Sequence, residues 1–332
     1  MPGVLENLGG LFYMLVFPGF AFLAVFALIA EFIDRKFHAK LQRRMGPPWF
    51  QPLADLIKLA AKEDILPASA DKWMFTLTPL VAMAATVTAF IYIPVWSRIA
   101  AGSFEGDVIV VLYLLTIPTF TFFLGGWYSR SVFSMIGAAR TLTQLFAYEI
   151  PLFLSILSAA LLANGAKALT PGMKDPLSWS LSGMSQFYGE HPLLAACNVI
   201  GLVVSLIALL GKLEKVPFDI PDAETEIGAG TFTEYSGRLL AMFRMTVAIE
   251  MIVGASLIAA VFIPFGLDVP PVLGFVLYVV KVLFVVCLLT VARTVMARFR
   301  IDQMINFCWK VAAPLAFAQL LLNLLVKFAI KG

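Results

Sequence analysis

Apolar residues in this chain come in long, nearly unbroken runs instead of alternating with polar ones. A helix needs about 20 mostly apolar residues to cross roughly 30 Å of hydrocarbon. Runs of that kind fall near 11–33, 73–96, 107–128, 141–163, 193–213, 239–264, 271–293 and 308–330. The pattern predicts an all-α integral membrane protein, a single polytopic domain over 1–332 with eight transmembrane helices. Pro94, Pro118, Pro151 and Pro314 fall inside these runs and predict kinks, tolerable where neighbouring helices satisfy the freed backbone groups. No Lys or Arg precedes the first run, which is too long for the apolar core of a signal peptide and reads as a retained helix. No internal repeat is visible.

The polar intervals are unequal. The first connection, 34–72, is too long to be a simple link, and its stretch "WFQPLADLIKLAAKE" sets Leu53, Leu56, Ile57 and Leu59 at helical spacing. It predicts an amphipathic helix on or just under the membrane surface. A weaker candidate, "LSWSLSGMSQFYG" near 177–189, lies in the fourth connection. The fifth connection, 212–238, gathers Asp219, Asp222, Glu224, Glu226 and Glu234 between two apolar runs. About two-thirds of the 24 Lys and Arg lie in the odd-numbered connections. The positive-inside rule then puts those connections in the cytoplasm and both termini outside, in a multi-pass protein of the cell membrane.

Composition agrees with this reading: 61% of the 332 residues are hydrophobic, 14% are charged, and the mean hydropathy is +0.91. A soluble domain sits near 45–50% apolar and about 25% charged. Two histidines and three widely spaced cysteines, with no C-x-x-C pair, argue against a metal or iron–sulfur site held by this chain and against a disulfide framework. The basic residues follow topology and form no patch for nucleic acid.

Ionisable residues within spans are costly and point to function. Glu149 lies in the fourth run, Glu250 and Lys281 near the middle of the sixth and seventh. Arg244 and Glu250 do not share a helical face. The acidic connection is too crowded for every carboxylate to ionise near a low dielectric, so its members titrate as a coupled group able to hold and pass protons. Phe218, Ile220, Ile227, Phe232 and Tyr235, interleaved with glycines, predict that it folds into the protein. Asp222 and Glu226 would share a face of a helix, and Glu234 and Arg238 have ion-pair spacing. The proton or charge relay expected from the sequence comprises Asp219, Asp222, Glu224, Glu226, Glu234, Glu149, Glu250 and Lys281.

Four ordered segments carry a resemblance. "PFDIPDAETEIGAGTFTEYSG" (217–237) resembles P-F-D-L-P-E-A-E-x-E-L-V-x-G-x-x-T-E-Y-S-G, the signature of the quinone-proximal, H-type membrane subunit of respiratory complex I. "DRKFHAKLQRRMGP" (34–47), "RTLTQLFAYEI" (140–150) and "RFRIDQMINFCWKVAAPL" (298–315) resemble further stretches of that family. There are departures. Only Pro48, Trp49 and Phe50 separate G-P from Q-P, where the family has roughly nine residues by resemblance. Asp34 and Asp222 stand where Glu is usual, Val247 replaces a buried Glu with Glu250 one turn later, Arg244 an aromatic, and Ala297 a Pro. The compact "RRMGPPWFQPLAD" form is similar to the equivalent subunit of the complex-I-related membrane-bound nickel–iron hydrogenases and sulfur reductases.

The resemblance implies a non-catalytic subunit of an oxidoreductase complex that docks a cytoplasmic electron-transfer arm and relays charge to antiporter-like, ion-pumping membrane subunits. Arg43, Arg44, Gln51, Asp55, Arg298, Arg300 and Asp302 are candidates for the dock. Nickel–iron and iron–sulfur centres are then expected in large catalytic-type and iron–sulfur partner subunits, and lipid around the spans. The shortened first connection argues against a quinone. A quinone-site subunit remains the alternative reading, with Glu31, Asp34 and Arg35 lining a chamber at the inner edge. A stand-alone ion transporter is a third reading, although such proteins usually show paired repeats. A quinone-site inhibitor separates the first two: turnover of a hydrogenase-type complex continues in its presence, and that of a quinone reductase stops.

Overall fold

The computed structural model describes residues 13–95, 99–165, 179–222, 224–266 and 269–331. All regular structure among them is helical. Seven helical stretches are long and apolar enough to cross a membrane, by length and composition. In chain order the helices are α1 (Phe20–Leu41), α2 (Gln51–Ala60), α3 (Lys72–Ile91), α4 (Asp107–Tyr128), α5 (Val132–Gly165), α6 (Leu181–Glu190), α7 (Pro192–Ala196) and α8 (Val199–Lys212). They continue with α9 (Glu224–Ile227), α10 (Gly237–Phe262), α11 (Pro271–Val295), α12 (Ile301–Phe307) and α13 (Ala313–Lys331). The fifth apolar run, 193–213, is divided: α7 stops before Asn198 and α8 has only 14 residues.

Several helices outrun their apolar cores. α1 continues through the charged "DRKFHAKL" segment, so the first part of what reads as the first connection, 34–41, is helix, and Glu31, Asp34 and Arg35 fall within one turn. α5 begins at Val132 and carries Arg140, Gln144 and Tyr148 at i, i+4 and i+8 on a common face. Pro314 cannot donate to the carbonyl one turn back, and the turn before it opens into a π-helix over Cys308–Ala312. Pro118 and Pro151 lie inside α4 and α5, whereas Pro94 lies beyond the end of α3, which instead contains Pro79.

The centre of the bundle is α10. Of its most apolar stretch 89% is buried, against 33% for α1 and α11 and 22% for the last span. It packs on α1, α3 and α11, while α4 joins α3 to α5, and α5 supports α8 and α13. Polar side chains mark the two ends. At one end Asp107 accepts from the Leu181 amide at 2.7 Å and from Ser103 and Ser180 at 3.1 Å, joining the second and fourth connections. At the other, Arg238–Asp64 joins the fifth connection to the first at 2.7 Å, and Arg140–Glu226 joins it to the third at 2.8 Å. The Phe299 amide donates to the Pro217 carbonyl at 2.9 Å, drawing in the seventh. The odd connections thus converge on one end.

The acidic connection is folded into the protein. Phe218, Ile220, Ile227, Phe232 and Tyr235 are all at most 5% exposed. Gln144 donates to the Gly211 and Phe218 carbonyls at 2.6 and 2.9 Å, and Tyr235 stacks on Phe75 at 3.9 Å between ring centres. Gly230 makes the closest approach, with φ +51° and a Cβ position only 1.8 Å from the Pro221 oxygen. Gly230→Ala is therefore expected to cost more than the roughly 1–2 kcal/mol of a left-handed alanine, lowering the thermal unfolding midpoint in detergent. An unchanged midpoint would show that the loop packs otherwise.

Candidate functional site

A cavity of about 480 Å³ opens at the end where the odd connections meet. Its walls are α1, α2, α10, the segment after α8 and the end of α11. Apolar groups such as Leu28, Leu56, Leu213, Met245 and Met251 share the lining with an unusual density of charge. Six carboxylates (Glu31, Asp34, Asp55, Glu214, Asp219 and Asp222) face five cations (Arg35, Lys58, Lys215, Arg244 and Arg293).

These charges are held in place by one another. Asp34 is buried, and its carboxylate accepts from Lys215 at 2.8 Å, Arg293 at 3.0 Å and Thr290 at 2.6 Å. One side chain thereby fastens α1 to α11 and to the acidic connection. Arg35 pairs with Glu31, one turn behind it, and with Asp55 on α2 at 2.9 Å. Gln51 also donates to Asp55, at 3.0 Å. Partial burial raises the Asp55 carboxyl, but the Arg35 and Gln51 hydrogen bonds outweigh it and hold the group below its ordinary range. Arg244 lies 3.6 Å from Asp222 and over the Phe232 ring.

Glu214 is the member that sequence reading passed over, because it precedes the cluster and reads as a helix-end charge. Its Oε1 is buried without a partner. Burial first, then the neighbouring carboxylates of Asp222 and Glu250, push its pKa up to about 8. From there the charges continue into the bundle. Glu250 is fully buried on α10 and faces the equally buried Lys212 ammonium at 3.3 Å. Lys212 also donates to the Leu115 carbonyl and lies 5.6 Å above the Tyr148 ring. Glu149 follows Tyr148 on α5, feels the Lys212 charge and keeps one buried oxygen without a partner. An electrostatically connected line thus runs from the cavity carboxylates through Glu214, Glu250 and Lys212 to Glu149.

Other residues singled out by sequence lie elsewhere. Glu226 is exposed and paired with Arg140, whose hydrogen bond holds it below its ordinary range. Asp222 precedes α9, so the two acids share no helical face. Glu234 is half-buried outside the cavity; the helix starts only at Gly237, which removes the i, i+4 geometry, and Arg238 pairs with Asp64 instead. The Glu224 side chain lies outside the described residues. Lys281 is not brought to Glu149 or Glu250: it lines a second, smaller pocket, and Lys212 is the cation beside them. Arg43, Arg44, Arg298, Arg300 and Asp302 are exposed at the cavity end, and Gln51 and Asp55 are half-buried there. Lys212, Lys215 and Arg293 had no sequence signal beyond their sign, since positive charge at a span's end is ordinary. No group of three or more possible metal ligands occurs among the described residues.

Residues 14–324 match the NADH dehydrogenase family. The chain is 30% identical to the H subunit of the NADH-quinone oxidoreductase of Carboxydothermus hydrogenoformans, across 91% of this chain and 85% of the relative. It is 33% identical to the H subunit of the same enzyme in Dehalococcoides mccartyi, across 94% and 85%. Its fold matches a chain in the structure of the membrane-bound sulfane sulfur reductase, an archaeal respiratory membrane complex, with a TM-score of 0.80. That match has 24% identity and covers 91% of this chain and 96% of the other. By both the span of the family match and the identity to its relatives, this chain belongs to the NADH dehydrogenase family.

Proposed function

We propose that this chain is the membrane anchor and coupling subunit of a complex-I-like respiratory complex of the hydrogenase or sulfur-reductase type. The observation that carries this reading is the series of mutually interacting charges from a charged cavity, through Glu214, to the buried Lys212–Glu250 pair and Glu149. A redox step at the mouth of the cavity changes the charge there or withdraws a proton. A unit charge about 4 Å away at an effective dielectric near 20 is worth about 4 kcal/mol, or roughly three pKa units. That is enough to change the proton occupancy of Glu214, whose pKa of about 8 leaves it poised near neutrality.

In this reading the chain crosses the membrane eight times, with α7 and α8 together making the short fifth crossing. The odd connections face the cytoplasm and both termini lie outside. α2 rests at the membrane surface with Leu53 and Ile57 exposed toward lipid. The exposed Arg43, Arg44, Arg298, Arg300 and Asp302 receive cytoplasmic iron–sulfur and large catalytic-type subunits, which would carry the nickel–iron and iron–sulfur centres. Antiporter-like membrane subunits take the charge signal from Glu149. The cavity's size and apolar walls favour a second reading, a quinone-site subunit, because ligand sites commonly enclose about 300–1,000 Å³.

Two outcomes test the line of charges. Glu149→Gln and Glu214→Gln should each assemble into the complex and transfer electrons while ion pumping falls to background. Pumping at the parental level in both would exclude the relay. Glu214 also makes a stability prediction. Its acid form is favoured in the folded chain, so its contribution is complete below the ordinary 4.5 and is lost as pH rises through about 8. Glu214→Gln should therefore flatten the fall in unfolding temperature across that window, as read by thermal melts of the purified complex.

A further inference from the structure

We propose that Lys281, Tyr278, Ser256 and Ser185 enclose a water-holding proton site, reached from the end of the bundle opposite the carboxylate cavity. This rests on the coupling function above and adds a second station to it. The pocket they line has a volume of about 20 Å³. A single water needs at least about 10–15 Å³ and two to four polar partners; the volume suffices, and Lys281, Tyr278, Ser256 and Ser185 are the polar residues of the lining.

Hydrogen-bond direction explains what the water would do. The Ser256 hydroxyl donates to the Ile252 carbonyl at 2.7 Å. Its one proton is thereby used, so the Tyr278 hydroxyl, also 2.7 Å away, must donate to Ser256. The Ser185 hydroxyl is likewise committed, donating to the Ser182 carbonyl at 3.1 Å. With their protons committed, the Tyr278 and Ser185 hydroxyls can serve the pocket only as acceptors, and Lys281, which lines it with them, brings the donor. A water between them accepts from Lys281 and donates to Tyr278 or Ser185. It receives the proton when the ammonium becomes an amine and returns it in the reverse step.

The rest of the lining fixes the direction of access. Pro94, Pro264, Gly266 and Gly274 come from the end of α3, the end of α10 and the start of α11. Asp34 and Arg293, which mark the carboxylate end, lie on the far side: Arg293 is twelve residues beyond Lys281, about 18 Å along α11. On α10, Ser256 follows Glu250 by six residues, about 9 Å. The two stations are thus about 9 Å apart along the central helix, with the rest of their linings drawn from opposite ends of the bundle. No ion pair to Lys281 occurs among the described residues; Arg98 and Asp268, near the pocket in sequence, lie outside them.

Access can be measured without any activity. Cys197, Cys287 and Cys308 would first be replaced by Ala, and Ser185→Cys, Lys281→Cys or the lipid-facing control Val280→Cys introduced into the intact complex in sealed vesicles of each orientation. Silver ion, close to water in size, is added on one side, and remaining thiol is read with N-ethylmaleimide. Silver from the end opposite the cavity should protect Ser185→Cys and Lys281→Cys about tenfold better than Val280→Cys, the effect of one pKa unit on a thiol. Equal protection of all three, or protection only from the cavity side, overturns the proposal. Ser185→Cys is nearly isosteric and keeps the test valid should Lys281→Cys fail to fold.

Pumping then separates a proton carrier from a fixed charge. Lys281→Met and Lys281→Arg should both lose most pumping with electron transfer retained, because a guanidinium does not release its proton. Rescue by Lys281→Arg would sink the proton site. Full pumping in Lys281→Met, where Glu149→Gln abolishes it, refutes this inference alone; full pumping in all of them refutes the coupling function as well.

Discussion

The Lys212 ammonium and the Glu250 carboxylate face each other at 3.3 Å with at most 1% of either side chain exposed. Neither charge could be kept there alone. Removing one partner of such a pair typically costs about 3–5 kcal/mol, while the pair itself gains little over apolar packing. Its neighbours are arranged accordingly. The Leu115 carbonyl accepts from Lys212, the Tyr148 ring lies beneath it, and Thr119 fixes the Tyr148 hydroxyl at 2.9 Å. α4, α5, α8 and α10 each contribute a group to the surroundings of this ion pair, while both Glu250 oxygens stay buried without a hydrogen-bond partner.

The acidic connection is held within the protein by contacts of its own. Here Gln144 ties the Phe218 carbonyl of the loop to the Gly211 carbonyl of α8, beside Lys212, and Arg140 holds the loop's far side through Glu226. The i, i+4, i+8 face of α5 thus reads outward to inward as a loop anchor, a second anchor and the ring beneath the ion pair. At the other wall Asp34 ties Lys215, three residues from Lys212, to Arg293 on α11. Charged groups of the loop and cavity are thus tied to partners on neighbouring elements.

Much of this was legible in the sequence because hydropathy and helix length are local properties. Seven of the expected runs contain helices of spanning length, and the burial of Phe218, Ile220, Ile227, Phe232 and Tyr235 follows from aromatic and aliphatic residues set among the acids. Pairing was not legible, because partners lie far apart in the chain. Arg238 chose Asp64, 174 residues away, over nearby Glu234, and Asp34 found Arg293 at a separation of 259. Glu214 escaped notice for a related reason: its meaning comes from Glu250 and Asp222 across the fold. Lys281, grouped with Glu149 and Glu250 by its depth in a span, lies instead on α11 and lines a pocket with Ser256, Ala259 and Ala260 of α10.

One substitution ties these threads together. Val247 occupies the place where resemblance to the quinone-proximal subunits leads one to expect a buried Glu, and it lines the cavity. Glu250, three residues on, is about 4.5 Å further along the helix. That displacement takes the carboxylate off the cavity wall and sets it against Lys212. The wall becomes more apolar beside Met251 and Ala248, and the inner carboxylate gains a fixed counter-charge. In the proposed relay such a carboxylate responds to the cavity through Glu214 and not by contact with whatever occupies it. Chamber and buried pair are then separate, and Glu214, which lines the cavity and feels the Glu250 charge, links them.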